Sequence, residues 1–260
     1  MTTPRLEVAD IVSTYQEGGR QLTALDGLSL TVGVGEFVAI VGPSGSGKST
    51  LLDIIAGLIS PDRGIVALDG IPTTMEQRLG RSAYMQQRDL LLPWRSTIGN
   101  AALALEASGI DRKVARDQAF AELDRFGLNG FENSYPAQLS GGMRQRTAFL
   151  RTLLPRKKLL LLDEPFGALD ALTRAELQGW LANLWEQDRS SVVLVTHDVE
   201  EAIFLADRVV ALTPRPGRVA LELRVGLARP RTRDMLASPP FLADRSELLA
   251  ALGIIHGDPS

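Results

Sequence analysis

The chain contains no cysteine, which excludes a disulfide framework and any thiolate metal site and fits a reducing compartment. Long apolar runs are also missing. Nowhere do 18 apolar residues follow one another, so no segment is expected to span a membrane. The tightest run, Leu159 to Leu162, has the length of a strand. The opening Met1-Thr2-Thr3-Pro4-Arg5 lacks a basic stretch followed by an apolar one, so no secretory leader is expected. Charge of one sign is not in excess. A net charge of −3 over 260 residues leaves no whole-chain electrostatic footprint for nucleic acid. There is no internal repeat and no low-complexity tract. What remains is a chain of ordinary globular composition, long enough for one large α/β domain or a core with a subdomain. If it works at a membrane, it must sit there on other proteins.

Aromatic residues are sparse, at 5%. Tyr15, the only one before Phe37, therefore has two readings: packing on a sheet face, or a stacking platform for a nucleotide base.

The most informative stretch present is Gly42-Pro43-Ser44-Gly45-Ser46-Gly47-Lys48-Ser49-Thr50. It follows the buried-strand pattern Phe37 to Val41 and precedes the helical pattern Leu51 to Ala56. In that context G-x-x-x-x-G-K-[ST] is a phosphate-binding loop. The glycines let the backbone turn its N–H groups inward, and with the helix N-terminus they form a concavity suited to an anion. Lys48 adds a point charge for the β- and γ-phosphates, and Ser49 offers a hydroxyl to Mg²⁺.

Along the chain, Leu6 to Tyr15 and Leu22 to Val34 read as strands joined by a turn at residues 17 to 20. Further strands are expected at 65 to 70 and 82 to 85. From Asp89 the texture becomes helical, with helices predicted over Ser96 to Ala107, capped by Ser96 or Thr97, and over Asp111 to Phe126 with Gly127 closing it. Sheet texture returns at Leu159. Helices over 171 to 187, 199 to 206 and 239 to 252 alternate with strands at 192 to 195 and 209 to 212. Alternation of this kind predicts a largely parallel, doubly covered sheet. The basic run 214 to 233, with six arginines, reads as a solvated strand-and-loop face without the aromatic interleaving of a nucleic-acid site.

Leu159 to Leu162 runs into Asp163 and Glu164. In doubly wound sheets ligands sit beyond the carboxyl ends of strands. There Asp163 would reach a Mg²⁺ held by Ser49, and Glu164, pointing elsewhere, suits a base that polarises water. The bland alternative is a solvent-facing pair of helix caps. His197 ends the next strand in the same way, while His256, in the polar tail, reads as structural. Leu139-Ser140-Gly141-Gly142-Met143-Arg144-Gln145-Arg146 opens a helix over 142 to 154. It is either an anion site without a lysine or a plain helix-entry turn.

In their order and spacing these motifs resemble the nucleotide-binding subunit of ABC transporters, over nearly the whole chain. The resemblance implies a P-loop core with a mostly parallel sheet, an N-terminal antiparallel part and an inserted helical subdomain, divided as 1–88, 89–155 and 156–260. It implies ATP and Mg²⁺ as cofactors. Tyr15 would stack on adenine, and Ser49, Gln87 and Asp163 would serve the metal. Glu164 would be the catalytic base, and Gln87 would link metal and attacking water to the helical subdomain. His197 would contact the γ-phosphate. Ala168, Leu169 and Asp170 would lie at a dimer interface. Leu139, Ser140, Gly141, Gly142 and Met143 would complete the ATP site of a second, head-to-tail subunit, so ATP acts as adhesive and hydrolysis loosens the pair.

The stretch Gln87 to Trp94 and the ending Pro214 to Arg218 are similar to bacterial importers of nitrate, sulfonates, taurine and thiamine-precursor pyrimidines. The partners implied are a second copy or near twin, integral membrane permease subunits and, indirectly, an extracytoplasmic solute-binding protein. Nucleic acid is not among them. The implied location is the cytoplasmic face of the membrane, peripherally bound. Trp94 would line the groove for a permease helix, or else belong to the core. Gln86 stands where such importers often carry proline. That leaves Gln86 and Gln87 as rivals, and counting back from Pro93 favours Gln87. The alternatives are a soluble ABC-type ATPase acting on nucleic acid or ribosomes, and a phosphate-loop kinase, which leaves Ser140 to Gly142 and His197 without roles.

Overall fold

The computed structural model describes residues 3–254; His256 lies outside them. Strands β1 (Leu6–Glu17) and β2 (Arg20–Val32) form a hairpin closed by Gly18 and Gly19, both at positive φ, as a two-residue hairpin turn requires. Then come β3 (Phe37–Val41), α1 (Lys48–Ala56), β4 (Arg63–Leu68), β5 (Ile71–Thr73), α2 (Met75–Arg78) and β6 (Ala83–Met85). The chain next leaves the sheet for a helical excursion: α3 (Thr97–Ala101), α4 (Leu103–Ala107), α5 (Arg112–Glu122) and α6 (Gly141–Leu153). It returns as β7 (Leu159–Asp163), followed by α7 (Ala171–Asp188), β8 (Ser191–Thr196), α8 (Val199–Leu205), β9 (Arg208–Leu212), β10 (Val219–Arg224) and α9 (Pro239–Ala251).

One sheet has the order β10-β9-β3-β8-β7-β6, parallel throughout except for β10, which pairs antiparallel with β9. The other, β2-β1-β4-β5, is antiparallel. Side chains alternate across a strand, and the alternation builds a core on each face of the larger sheet. Phe37, Ala39, Val41, Leu160 and Leu162 join one core with the helical excursion, α7 and α8. Val38, Ile40, Leu159 and Leu161 join the other with α1 and the antiparallel sheet. Burial on both faces explains why β3, β7 and β8 read as unbroken apolar runs.

Three expectations need correction. The single helix expected over Ser96 to Ala107 is two, α3 and α4, meeting at Ala102. The helix expected to reach Phe126 stops at Glu122. The chain then turns so that Phe126 and Leu128 enter the core, with Gly127 in the left-handed region. Finally, the basic run 214 to 233 is not simply a solvated face. Arg231 is buried and donates to the carbonyls of Ile203, Phe204 and Ala206, the carbonyls that end a helix without intrahelical partners. Arg229 pairs with Asp207 and lies over the Trp185 ring.

Candidate nucleotide site

Gly42 to Thr50, Asp163 with Glu164, and His197 follow the carboxyl ends of β3, β7 and β8, three neighbouring parallel strands. Gly47 caps α1 with φ 88°. A Cβ at this position would lie 2.8 Å from the Ala24 carbonyl oxygen and 2.6 Å from Leu25 Cδ2, so glycine alone fits. No side chain caps α1, whereas Ser96, Asp111, Ser140, Asp170 and Asp198 cap α3, α5, α6, α7 and α8. The first N–H groups of α1 are thus left for an anion. Lys48 is buried, and its Nζ donates to the carbonyls of Gly42 at 2.8 Å and Pro43 at 2.9 Å. Burial lowers its pKa, while the carboxyls of Glu164 and Asp163 pull the other way.

Asp163 is buried at the end of β7 and accepts a hydrogen bond from Ser49. Burial raises its pKa, Ser49 opposes the rise, and Glu164 adds to it. Glu164 turns away on left-handed backbone, φ 43°. Its Oε2 accepts from Gln87 Nε2 at 3.0 Å and lies 3.3 Å from His197 Nδ1. Three segments far apart in sequence therefore meet on one carboxyl oxygen. Gln86 and Gln87 are both exposed, and it is Gln87 that is hydrogen-bonded to this carboxylate.

Asp170 caps α7, accepting from the N–H groups of Leu172 and Thr173, which hold its carboxyl below its ordinary range. Arg174 donates to the Leu169 carbonyl at 3.1 Å and stands 3.9 Å from Asp198, so it ties the 168–170 loop to the residue after His197. Ser140 caps α6 by accepting from Met143 N at 3.2 Å. Gly142 packs so tightly that a Cβ would fall 2.9 Å from Thr173 Cγ2, while Gly141 lies beside Leu169. Among the described residues no hydrogen bond joins Leu139 to Met143 with the phosphate loop of the same chain.

Tyr15, on β1, is 38% exposed. The guanidinium of Arg215 lies 5.6 Å from its ring centroid, and Arg215 Nε donates to the Gly45 carbonyl. Sequence reading missed this arginine as a site residue, because it sits within a run that looked like solvated charge. Trp94 is 71% exposed and does not belong to the core.

The donors available to a cation are one carboxylate, Asp163, one hydroxyl, Ser49, and the Gln87 amide. Among the described residues no group of three or more His, Asp or Glu forms a metal cage. An all-oxygen set with a single carboxylate fits Mg²⁺, which keeps several waters and is shared with nucleotide phosphates.

A family model described as "ABC transporter" matches residues 25–167. The taurine import ATP-binding protein TauB of Yersinia pestis is 41% identical over 252 residues, covering 94% of this chain and 95% of that protein. The formylaminopyrimidine import ATP-binding protein ThiZ of Halalkalibacterium halodurans is 46% identical over 201 residues, covering 77% of this chain and 78% of that protein. Among solved structures, a dimeric bacterial ABC transporter cassette superposes with a TM-score of 0.74 at 34% identity, covering 84% of this chain and 98% of that one.

Proposed function

Because the chain belongs to the ABC transporter family, we propose that it is the ATP-hydrolysing subunit of an importer for a small solute of the sulfonate or pyrimidine-precursor class. The observation that carries the proposal is the convergence of Gln87 and His197 on the Glu164 carboxylate beside the phosphate loop. A carboxylate beside a phosphate site can take a proton from an attacking water, and its two neighbours fix its direction. In this reading the N–H groups of the loop and Lys48 hold the phosphates. Ser49, Asp163 and Gln87 would hold Mg²⁺, which neutralises phosphate charge when bound. Tyr15 and Arg215 frame the base. The helical excursion forms the 89–155 subdomain between the core segments 1–88 and 156–260.

Leu139 to Met143 do not reach their own chain's phosphate loop, which supports a head-to-tail pair in which each chain completes the other's site. Ala168 to Asp170 would lie along the seam. The exposed Trp94 would meet a permease subunit at the cytoplasmic face of the membrane, with a solute-binding protein acting from the other side. No helix of the described residues is long and apolar enough to cross a membrane. The relatives' names as import proteins favour this reading over a soluble ATPase acting on nucleic acid or ribosomes.

Glu164→Gln tests the proposal. Loss of a general base slows hydrolysis by about 100-fold or more, while ATP affinity is retained and ATP-bound dimers accumulate on a sizing column. Hydrolysis at the parent rate would remove Glu164 from the base role.

A further inference from the structure

A cavity of about 400 Å³ lies at the opposite end of the sheet from the phosphate loop. Its walls are the residues leading into β3, β7 and β8, the end of α6 and the turn after α5. Five-residue strands separate it from the nucleotide end by roughly 15 Å. Its apolar floor comprises Phe126, Leu150, Leu154 and Leu160. Around this floor stand Arg5, Arg125, Arg156, Lys157, Lys158 and Arg189, against only Glu122 and Asp188. Both carboxylates are already engaged. Glu122 lies 3.7 Å from Arg125 and 3.3 Å from Arg156, and Asp188 lies 3.0 Å from Arg125. Arg5 pairs with Asp69 outside this cavity. Lys157, Lys158 and Arg189 have no carboxylate partner among the described residues. A second cavity, of about 290 Å³, shares Arg5, Arg156, Lys157 and Lys158 and adds Arg81. In a chain of net charge −3, this concentration of cations around an apolar hollow is local and specific.

The volume of the cavity falls within the range of small-molecule sites.

We propose that this cavity binds a small organic anion, an apolar body carrying a sulfonate, phosphate or carboxylate head, and that its occupancy slows ATP turnover. The cavity joins both sides of a structural boundary. Arg125, Phe126, Leu150 and Leu154 come from the helical excursion, while Leu160 and Ser191 belong to the sheet. Its far wall is the end of α6, the helix that Ser140 caps. A ligand that contacts both layers ties them together and resists any shift of α6 relative to the sheet. The effect on turnover rests on the function proposed above; binding does not.

The test uses the whole chain with saturating ADP, so that the nucleotide site is filled. Naphthalene-2-sulfonate is titrated by calorimetry beside methanesulfonate, the head alone, and 2-naphthol, the body alone. Naphthalene-2-sulfonate is expected to bind about tenfold more tightly than either part. Replacing Lys157→Glu together with Lys158→Glu is expected to weaken it by about tenfold or more, and Lys157→Arg with Lys158→Arg to preserve it. Circular dichroism confirms that the charge-reversed chain is folded. Saturation with the sulfonate is expected to lower ATP turnover about fivefold. Unchanged affinity in the charge-reversed variant, or displacement by rising ADP, would overturn the site. Binding with no change in turnover would overturn its role as an effector site. An ATPase-silent chain that still binds the sulfonate through these lysines would leave the site standing and count against the function proposed above.

Discussion

The ammonium of Lys48 is held by the Gly42 and Pro43 carbonyls inside its own loop. Those carbonyls keep the charge buried and aimed at the concavity. Lys48→Ala removes one charge-assisted contact to the phosphates, worth about 1.5 to 3 kcal/mol. ATP affinity measured by calorimetry should fall about tenfold to 100-fold, and unchanged affinity would contradict the assignment of the loop. At this scale sequence reading went far. Gly47, Lys48, Asp163, Glu164 and His197 each carry a signal of residue type and position at a strand's end. Arg215 carried none, because only the fold brings residues 15, 45 and 215 together. The choice of Gln87 over Gln86 likewise needed the hydrogen bond to Glu164 to settle the geometry.

At the scale of elements, α8 is the informative case. It leaves the His197 loop, and every residue of it except Glu200 is buried. Glu201 lies within that helix, almost wholly buried, and accepts from Gln178 Nε2 at 2.8 Å. Gln178 in turn accepts from Arg233 at 2.8 Å. A polar line thus runs from the C-terminal arm through α7 to the helix that follows His197. Burial pushes the Glu201 carboxyl up to about 7; Gln178 and Thr196 oppose this, Asp198 adds to it and Arg174 opposes it. A carboxyl raised in the folded state stabilises the fold fully below its unfolded pKa, and that stability is lost as pH rises through the folded value. Between about pH 4.5 and 7 the parent should lose up to roughly 3 kcal/mol from this group. Glu201→Gln removes the titration, so its melting temperature should fall less over that window than the parent's. Parallel pH profiles would contradict the assignment. The periodicity of α8 was legible in the sequence. Its staples were not, because Arg231 and Arg233 look the same in sequence whether they face water or cap buried carbonyls.

At the scale of the whole molecule, the function proposed above has a second chain complete the nucleotide site. The parallel sheet, its antiparallel annex and the helical excursion were all legible, since strand runs buried on both faces and helical periodicity are local signals. The early end of α5 was not, because the packing of Phe126 and Leu128 decided it, and no residue type in the sequence marks the break at Ala102. Trp94 was undecided from spacing and proved exposed. Trp94→Ala should therefore change folding stability by less than about 0.5 kcal/mol, yet uncouple transport in an assembled membrane complex. A large loss of stability in denaturant melts would return Trp94 to a structural role. Ser140 faces the same test of placement. It caps its own helix and leaves its own chain's phosphate loop unaccompanied, so the account depends on a second chain. The most direct measurement is a structure of Glu164→Gln in complex with ATP. The account predicts a closed pair in which the partner's Ser140 lies within hydrogen-bond distance of the γ-phosphate held by Lys48. A closed, ATP-loaded structure with that phosphate faced by solvent, or by Ser140 of the same chain, would contradict it.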